Sequence, residues 1–130
     1  MFKIYSAEDN RIPNIEYLPC SAITPKHGMA LAQSEGNLVI ATGTTKPTYI
    51  CMTEKAAAVA AGTIIPVVRV TEDMVFETNF SASAASIKLG DKVTLHASDG
   101  MQVTATTTSG VAEVVYMDGT ASGSMCRVRF

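Results

Sequence analysis

From Gly28 onward, apolar stretches of strand length alternate with turn residues at intervals of about ten, the spacing of β-sandwiches and barrels. The pattern predicts strands over 28–32 and 37–42, separated by a Ser34-Glu-Gly-Asn37 turn in which Gly36 supplies positive φ. Further strands are predicted over 47–52, 63–71 and 74–79. In the last of these Met74, Phe76 and Thr78 face opposite to Val75 and Glu77. Pro66 removes a ladder donor from the 63–71 strand, so an edge or bulge position is expected there. The Ala-rich stretch 52–61, with Thr53 as a possible cap and Gly62 as a stop, fits either a short helix or an irregular loop. After the small-residue link 81–86, strands are predicted over 92–96, 102–107, 111–117 and 124–130, with turns at 89–91, 98–100, 109–110 and 118–119.

A fourteen-residue stretch occurs twice without a gap. Leu31–Thr44 reappears 64 residues later as Leu95–Thr108, with identities that include Leu31/Leu95, Ser34/Ser98, Gly36/Gly100, Val39/Val103 and Thr42/Thr106. The match extends weakly outward. Ile50 aligns with Val114, and Gly62 followed by Val68-Arg-Val70 aligns with Gly123 followed by Val128-Arg-Phe130, with one residue of slippage. Each copy is then a hairpin, strand, loop and strand, and two copies bury the apolar face that one leaves open. The expected fold is all-β: a small β-barrel or sandwich of two pseudo-repeated hairpin units with an extended N-terminal arm. The arm covers residues 1–27 and a single β-domain covers 28–130, with copy one about 28–80 and copy two about 89–130.

Residues 1–27 differ from the rest. Pro13, Pro19 and Pro25 bias their predecessors toward extended backbone, and the apolar residues follow neither a period of 2 nor one of 3.6. The arm is aromatic and aliphatic, so it lies against something: its own domain, or another subunit. On the second reading the partner-binding residues are Phe2, Ile4, Tyr5, Ile12, Ile15, Tyr17 and Leu18. Truncation of residues 1–20 is then expected to leave a folded domain that has lost its partner.

Composition narrows the function classes. The 130 residues are enough to bury a core without metal or disulfide staples. The formal charge is −2 with acids and bases interspersed, which argues against nucleic acid. No apolar run approaches the roughly 18 residues of a membrane span, and residues 1–9 lack the pattern of a signal peptide. Cys20, Cys51 and Cys126 are far apart among apolar neighbours and read as buried thiols, with a Cys20–Cys126 pair left open.

Reactive constellations are not evident. His27 and His96 have no ligand at metal spacing, and the acidic pairs Glu72-Asp73 and Asp91/Asp99 read as solvated turns. Gly119-Thr-Ala-Ser-Gly123 has alanine where a nucleophile would stand. No catalytic, metal or cofactor site is therefore expected. Arg69, Arg127 and Arg129 lie on strands, where they pair either with a neighbouring subunit or with local carboxylates such as Glu72 or Glu113.

The stretch from Thr24-Pro-Lys-His-Gly-Met-Ala-Leu31 through Gly36-Asn-Leu-Val-Ile-Ala-Thr-Gly-Thr-Thr-Lys-Pro-Thr-Tyr-Ile-Cys-Met52 resembles the capsid decoration (cement, or head-stabilising) proteins of tailed bacteriophages. Gly62-Thr-Ile-Ile-Pro-Val-Val-Arg-Val70 and Leu89-Gly-Asp-Lys-Val-Thr-Leu95 are similar to segments of small phage head proteins. The resemblance implies a non-enzymatic homotrimer on the outside of the virion's expanded capsid lattice. It would contact the major capsid protein through the N-terminal arm. The long aromatic arm and the second copy depart from that family's pattern. The alternative is a β-barrel binding module for a small ligand or glycan, which requires a pocket walled by aromatic rings.

Overall fold

The computed structural model describes residues 1–7 and 13–130, and among them there is no helix. Ten strands follow in order: β1 Lys3–Ser6, β2 Ile15–Cys20, β3 Ala30–Ser34, β4 Asn37–Ile40, β5 Tyr49–Cys51, β6 Thr63–Arg69, β7 Val75–Asn79, β8 Lys92–Val93, β9 Ala112–Met117 and β10 Met125–Arg129. They form two layers. One is a five-stranded sheet in the order β1-β7-β10-β9-β8, and the other is a ring, β2-β4-β3-β5-β6, in which β6 returns to β2.

The ring strands are buried on both faces where they lie against the sheet, which is why their alternation is weak. Leu31, Tyr49, Cys51, Ile65 and Val67 point into the ring with Cys20 and Leu38. Ala30, Ala32, Ile50 and Val68 point the other way, into the main core against Phe76, Val114, Cys126 and Val128 of the sheet. The alanines of β3 let the two layers approach closely. Phe2, Phe76 and Phe130 form an aromatic cluster in that core, with Phe130 5.3 Å from Phe2 and 5.5 Å from Phe76 between ring centroids.

The pairings locate the repeat more finely than the sequence does. In the ring, β6 lies between β2 and β5, and in the sheet β10 lies between β7 and β9. Ile50 pairs with Val68 as Val114 pairs with Val128. Both central strands are entered by the same turn. Gly62 (φ 85°) and Gly123 (φ 86°) occupy its positive-φ position, closed by Thr63 N–H to Ala60 C=O (3.1 Å) and Ser124 N–H to Ala121 C=O (3.0 Å). Gly62 N–H also bonds Cys20 C=O (2.8 Å), as Gly123 N–H bonds Phe80 C=O (2.8 Å). The units are thus β2–β6 and β7–β10. β2 begins unit one inside the segment read as an arm, and β7, read as the end of copy one, begins unit two.

The repeated hairpins themselves have diverged. In the first, Ser34 pairs with Asn37 around a two-residue turn with Glu35 and Gly36 both at positive φ (48° and 82°), the geometry of a tight primed hairpin. In the second, Leu95 bridges Val103 around a wider loop. There Asp99 Oδ1 accepts from Met101 N–H (3.0 Å) and lies 3.0 Å from His96 Nδ1. The copies meet directly through the reciprocal Gly43–Leu95 bonds and through Ala30 N–H to Gly100 C=O (2.9 Å).

The arm is woven into both layers. β1 pairs with β7 and β2 with β6, and Phe2 N–H bonds Gly28 C=O (2.9 Å). The Ala-rich stretch is an irregular loop, pinned by Lys55 N–H to Pro25 C=O and Val59 N–H to Ile23 C=O (both 2.9 Å).

Pro66 marks where one ladder ends. Met52 N–H donates to Pro66 C=O (3.0 Å), but the reciprocal bond has no donor, and β5 stops at Cys51.

Cys20 and Cys126 lie in different clusters, and all three thiols are free and buried. Burial pushes all three thiol pKa values up, that of Cys126 to about 12. Native protein at pH 8 is expected to label with a thiol reagent at least about 100-fold more slowly than urea-unfolded protein. Stopped-time mass spectrometry reads this directly.

Candidate functional site

Antiparallel register decides which arm residues share a face. Ile15 pairs with Val68, Tyr17 with Pro66 and Pro19 with Ile64, so these six side chains project from the outer face of the β2–β6 ribbon. Val68 is covered by the sheet, and the others run out past it. Ile15 is 52%, Tyr17 68% and Ile64 56% exposed, with half-buried Pro19 and Pro66 between them. Among the described residues the face bears no charge. On the opposite parity Arg69 and Glu16 pair with each other, Arg69 Nε to Glu16 Oε1 at 2.9 Å and Nη2 to Oε2 at 3.1 Å. This is an exposed apolar patch of the kind that marks an interaction surface.

The seven arm residues do not form one site. Ile15 and Tyr17 lie on the ribbon. Leu18 turns inward and packs against the ring core. Phe2 is 1% exposed and meets Phe130 edge to face, so it belongs to the fold and not to a docking surface. Ile4 is half-buried against the main core. Tyr5 is exposed, but on the five-stranded sheet, where its ring lies 3.6 Å from the Arg127 guanidinium. Ile12 lies outside the described residues. Ile64 and Pro66 were not picked out from sequence because they are distant from the arm. The signal was the unbroken apolar run Ile64–Val68, longer than one buried face needs.

The outer face of the five-stranded sheet is the opposite in character. Lys3, Glu77 and Arg127 stand in register across β1, β7 and β10, and Lys92, Glu113 and Arg129 across β8, β9 and β10. Arg127 Nε lies 3.4 Å from Glu77 Oε2, and Arg129 Nη2 lies 3.0 Å from Glu113 Oε1. The arginines therefore pair locally, Arg69 with Glu16 in place of Glu72. The Arg129 hydrogen bond holds the Glu113 carboxyl below its ordinary pKa. The attraction is present at neutral pH and is lost as pH falls through that lowered value. In so exposed a pair the effect on stability is small.

Two surface hollows have room for a small ligand. One, of about 410 Å³, is bordered by Lys46, Glu72, Lys92, Glu113 and Arg129, and the other, of about 350 Å³, by Ile23, Lys26, Met29, Ile40 and Asp99. Neither is walled by exposed aromatic rings. Among the described residues no three His, Cys, Asp or Glu side chains converge as metal ligands, and no helix is long and apolar enough to cross a membrane. No protein-family model matches the chain, and no curated protein matches it.

Proposed function

We propose that this chain is a non-enzymatic structural protein that seats on the outer surface of a bacteriophage capsid lattice. There it works as a homotrimer that bridges subunits of the major capsid protein and stabilises the shell. The observation that carries the reading is the apolar ribbon of Ile15, Tyr17 and Ile64, set against a sheet face that carries Lys3, Arg127, Lys92 and Arg129 beside Glu77 and Glu113. The ribbon exposes on the order of 300–400 Å², less than the roughly 800 Å² per partner of a stable isolated interface. A contact of that size holds when it is repeated across one multivalent particle, which is the situation on a lattice.

Co-sedimentation with expanded shells of the cognate capsid protein tests it, with solution mass reporting the trimer. A Tyr17→Asp/Ile64→Asp double variant is expected to melt within about 1 kcal/mol of wild type, because both side chains are exposed. It is expected to lose at least about 30-fold in apparent affinity for shells. Full occupancy by the double variant would remove the ribbon from the interface, and failure of the intact protein to pellet with shells would overturn the function.

A further inference from the structure

The internal repeat exposes an asymmetry. The shared turn aligns Cys20 with Phe80, and therefore Ile15, Tyr17 and Pro19 with Val75, Glu77 and Asn79. In β7 those odd-numbered residues turn their backbone groups away from β10, since Phe80 N–H bonds Ser124 C=O (3.0 Å) on the β10 side. They are met there by β1, with Lys3 opposite Glu77. In β2 the same parity holds. Met52 N–H to Pro66 C=O assigns the even residues of β6 to β5 and the odd ones to β2, so Glu16, Leu18 and Cys20 serve the β6 ladder. Ile15, Tyr17 and Pro19 therefore face outward. On that side β2 meets β4 only at its end, through Cys20 opposite Leu38 and Ser21 N–H to Leu38 C=O (2.8 Å). Among the described residues, nothing occupies the place beside Ile15–Leu18 that β1 fills beside β7.

We propose that this open edge of β2 is a strand-addition site for a short, uncharged, extended segment of a partner chain. This deepens the reading given above, and it rests on the ribbon being the docking face. Three observations define the occupant. Pro19 shares the outward parity and carries no N–H, so the outward side of β2 offers a window with two donors, those of Ile15 and Tyr17. That window suits about four or five residues, the length of β1, and it is too short and its patch too small for a stable symmetric pairing with a second copy. Lys3 of β1 lies opposite Glu77, whereas the equivalent position on β2 is Tyr17, beside Ile15 and with no charge among the described residues of the ribbon face, so the incoming segment is apolar or hydroxylic where β1 is cationic.

Amide-resolved hydrogen exchange and an NMR titration test the site without any capsid. The probe is a capped pentapeptide copying residues 2–6 with threonine in place of the lysine. In the free protein the Ile15 and Tyr17 amides are expected to exchange at least about 100-fold faster than those of Glu16 and Leu18. The peptide is expected to shift and protect Ile15 and Tyr17 at millimolar concentration while leaving Val75 and Glu77 unmoved. Tyr17→Pro removes an outward donor and leaves the β6 ladder intact, so it should melt near wild type and lose the peptide response, whereas Tyr17→Val should retain it. Slow exchange at Ile15 and Tyr17 in the free protein, or no shift at saturating peptide, would overturn the site. Shell binding that survives Tyr17→Pro unchanged would also overturn it, while leaving the capsid-binding function standing.

Discussion

A chain lacking residues 1–20 is expected to show no cooperative thermal unfolding transition. The deletion removes β1 and β2, and with them the whole of the β2–β6 ladder from Ile15/Val68 to Cys20/Thr63. It also takes Phe2 out of the main core and Leu18 and Cys20 out of the ring. Without β2 the ring is an open sheet of four strands, and its interior face of Ile65, Val67 and Tyr49 meets water. Phe2→Ala alone is expected to cost about 3–5 kcal/mol, as for other fully buried phenylalanines. The truncation removes several such terms, together with the ladder, from a domain whose total stability is on the order of 5–15 kcal/mol. This replaces the expectation that 28–130 folds by itself. Circular dichroism melting decides it, and a sharp transition in the truncated protein would show that the arm is dispensable to the fold.

Gly110→Ala is the point substitution expected to do most damage outside the aromatic core. A Cβ at Gly110 would lie 2.0 Å from Lys92 O, 2.2 Å from Lys92 C and 2.6 Å from Val93 N. All three are backbone atoms of β8, so no side chain can swing away. Val111 N–H bonds Val93 C=O (3.0 Å) beside this contact, and Val93 is fully buried in the main core. Relief requires β8 to leave β9, at a cost of at least about 3 kcal/mol. Gly62→Ala is the control. Its φ is +85°, but nothing lies within 4 Å of the new Cβ, so the cost is the conformational one of about 1 kcal/mol. Urea unfolding of the two variants separates a clash from a strained turn, and equal midpoints would contradict the packing described.

The legible parts of the fold were those in which one face is wet. The alternation over Met74–Asn79 matches β7, whose even positions are buried. Gly36 was readable because a two-residue hairpin requires positive φ. Pro66 was expected at an edge or bulge, whereas β6 is an inner strand in unbroken register, and the missing donor is accommodated just past the end of the β5 ladder. The ring was harder. Ala30-Leu31-Ala32 and Tyr49-Ile50-Cys51 are buried on both faces, so neither strand shows a polar half. The predicted strands at 92–96 and 102–107 are reduced to β8 and single bridges at Leu95 and Val103, because the second hairpin widens around the Asp99–His96 contact.

The candidate site was half legible. Ile15 and Tyr17 were picked out as apolar residues in an arm that needed a partner, and both are exposed together. Phe2 was misplaced because nothing local distinguishes an aromatic ring that plugs its own core from one that docks elsewhere. Its socket is made by Phe76 and Phe130, more than seventy residues away in sequence. Ile64 was invisible to an argument confined to residues 1–27, since only the β2–β6 register brings it beside Pro19.

The most direct test of the central claim, that this chain clamps a capsid lattice, is differential scanning calorimetry of expanded shells with and without saturating protein. Wild-type protein is expected to raise the shell's melting temperature, and the Tyr17→Asp/Ile64→Asp variant at the same concentration to leave it where the bare shell melts. A shell transition that wild-type protein does not move would contradict the claim.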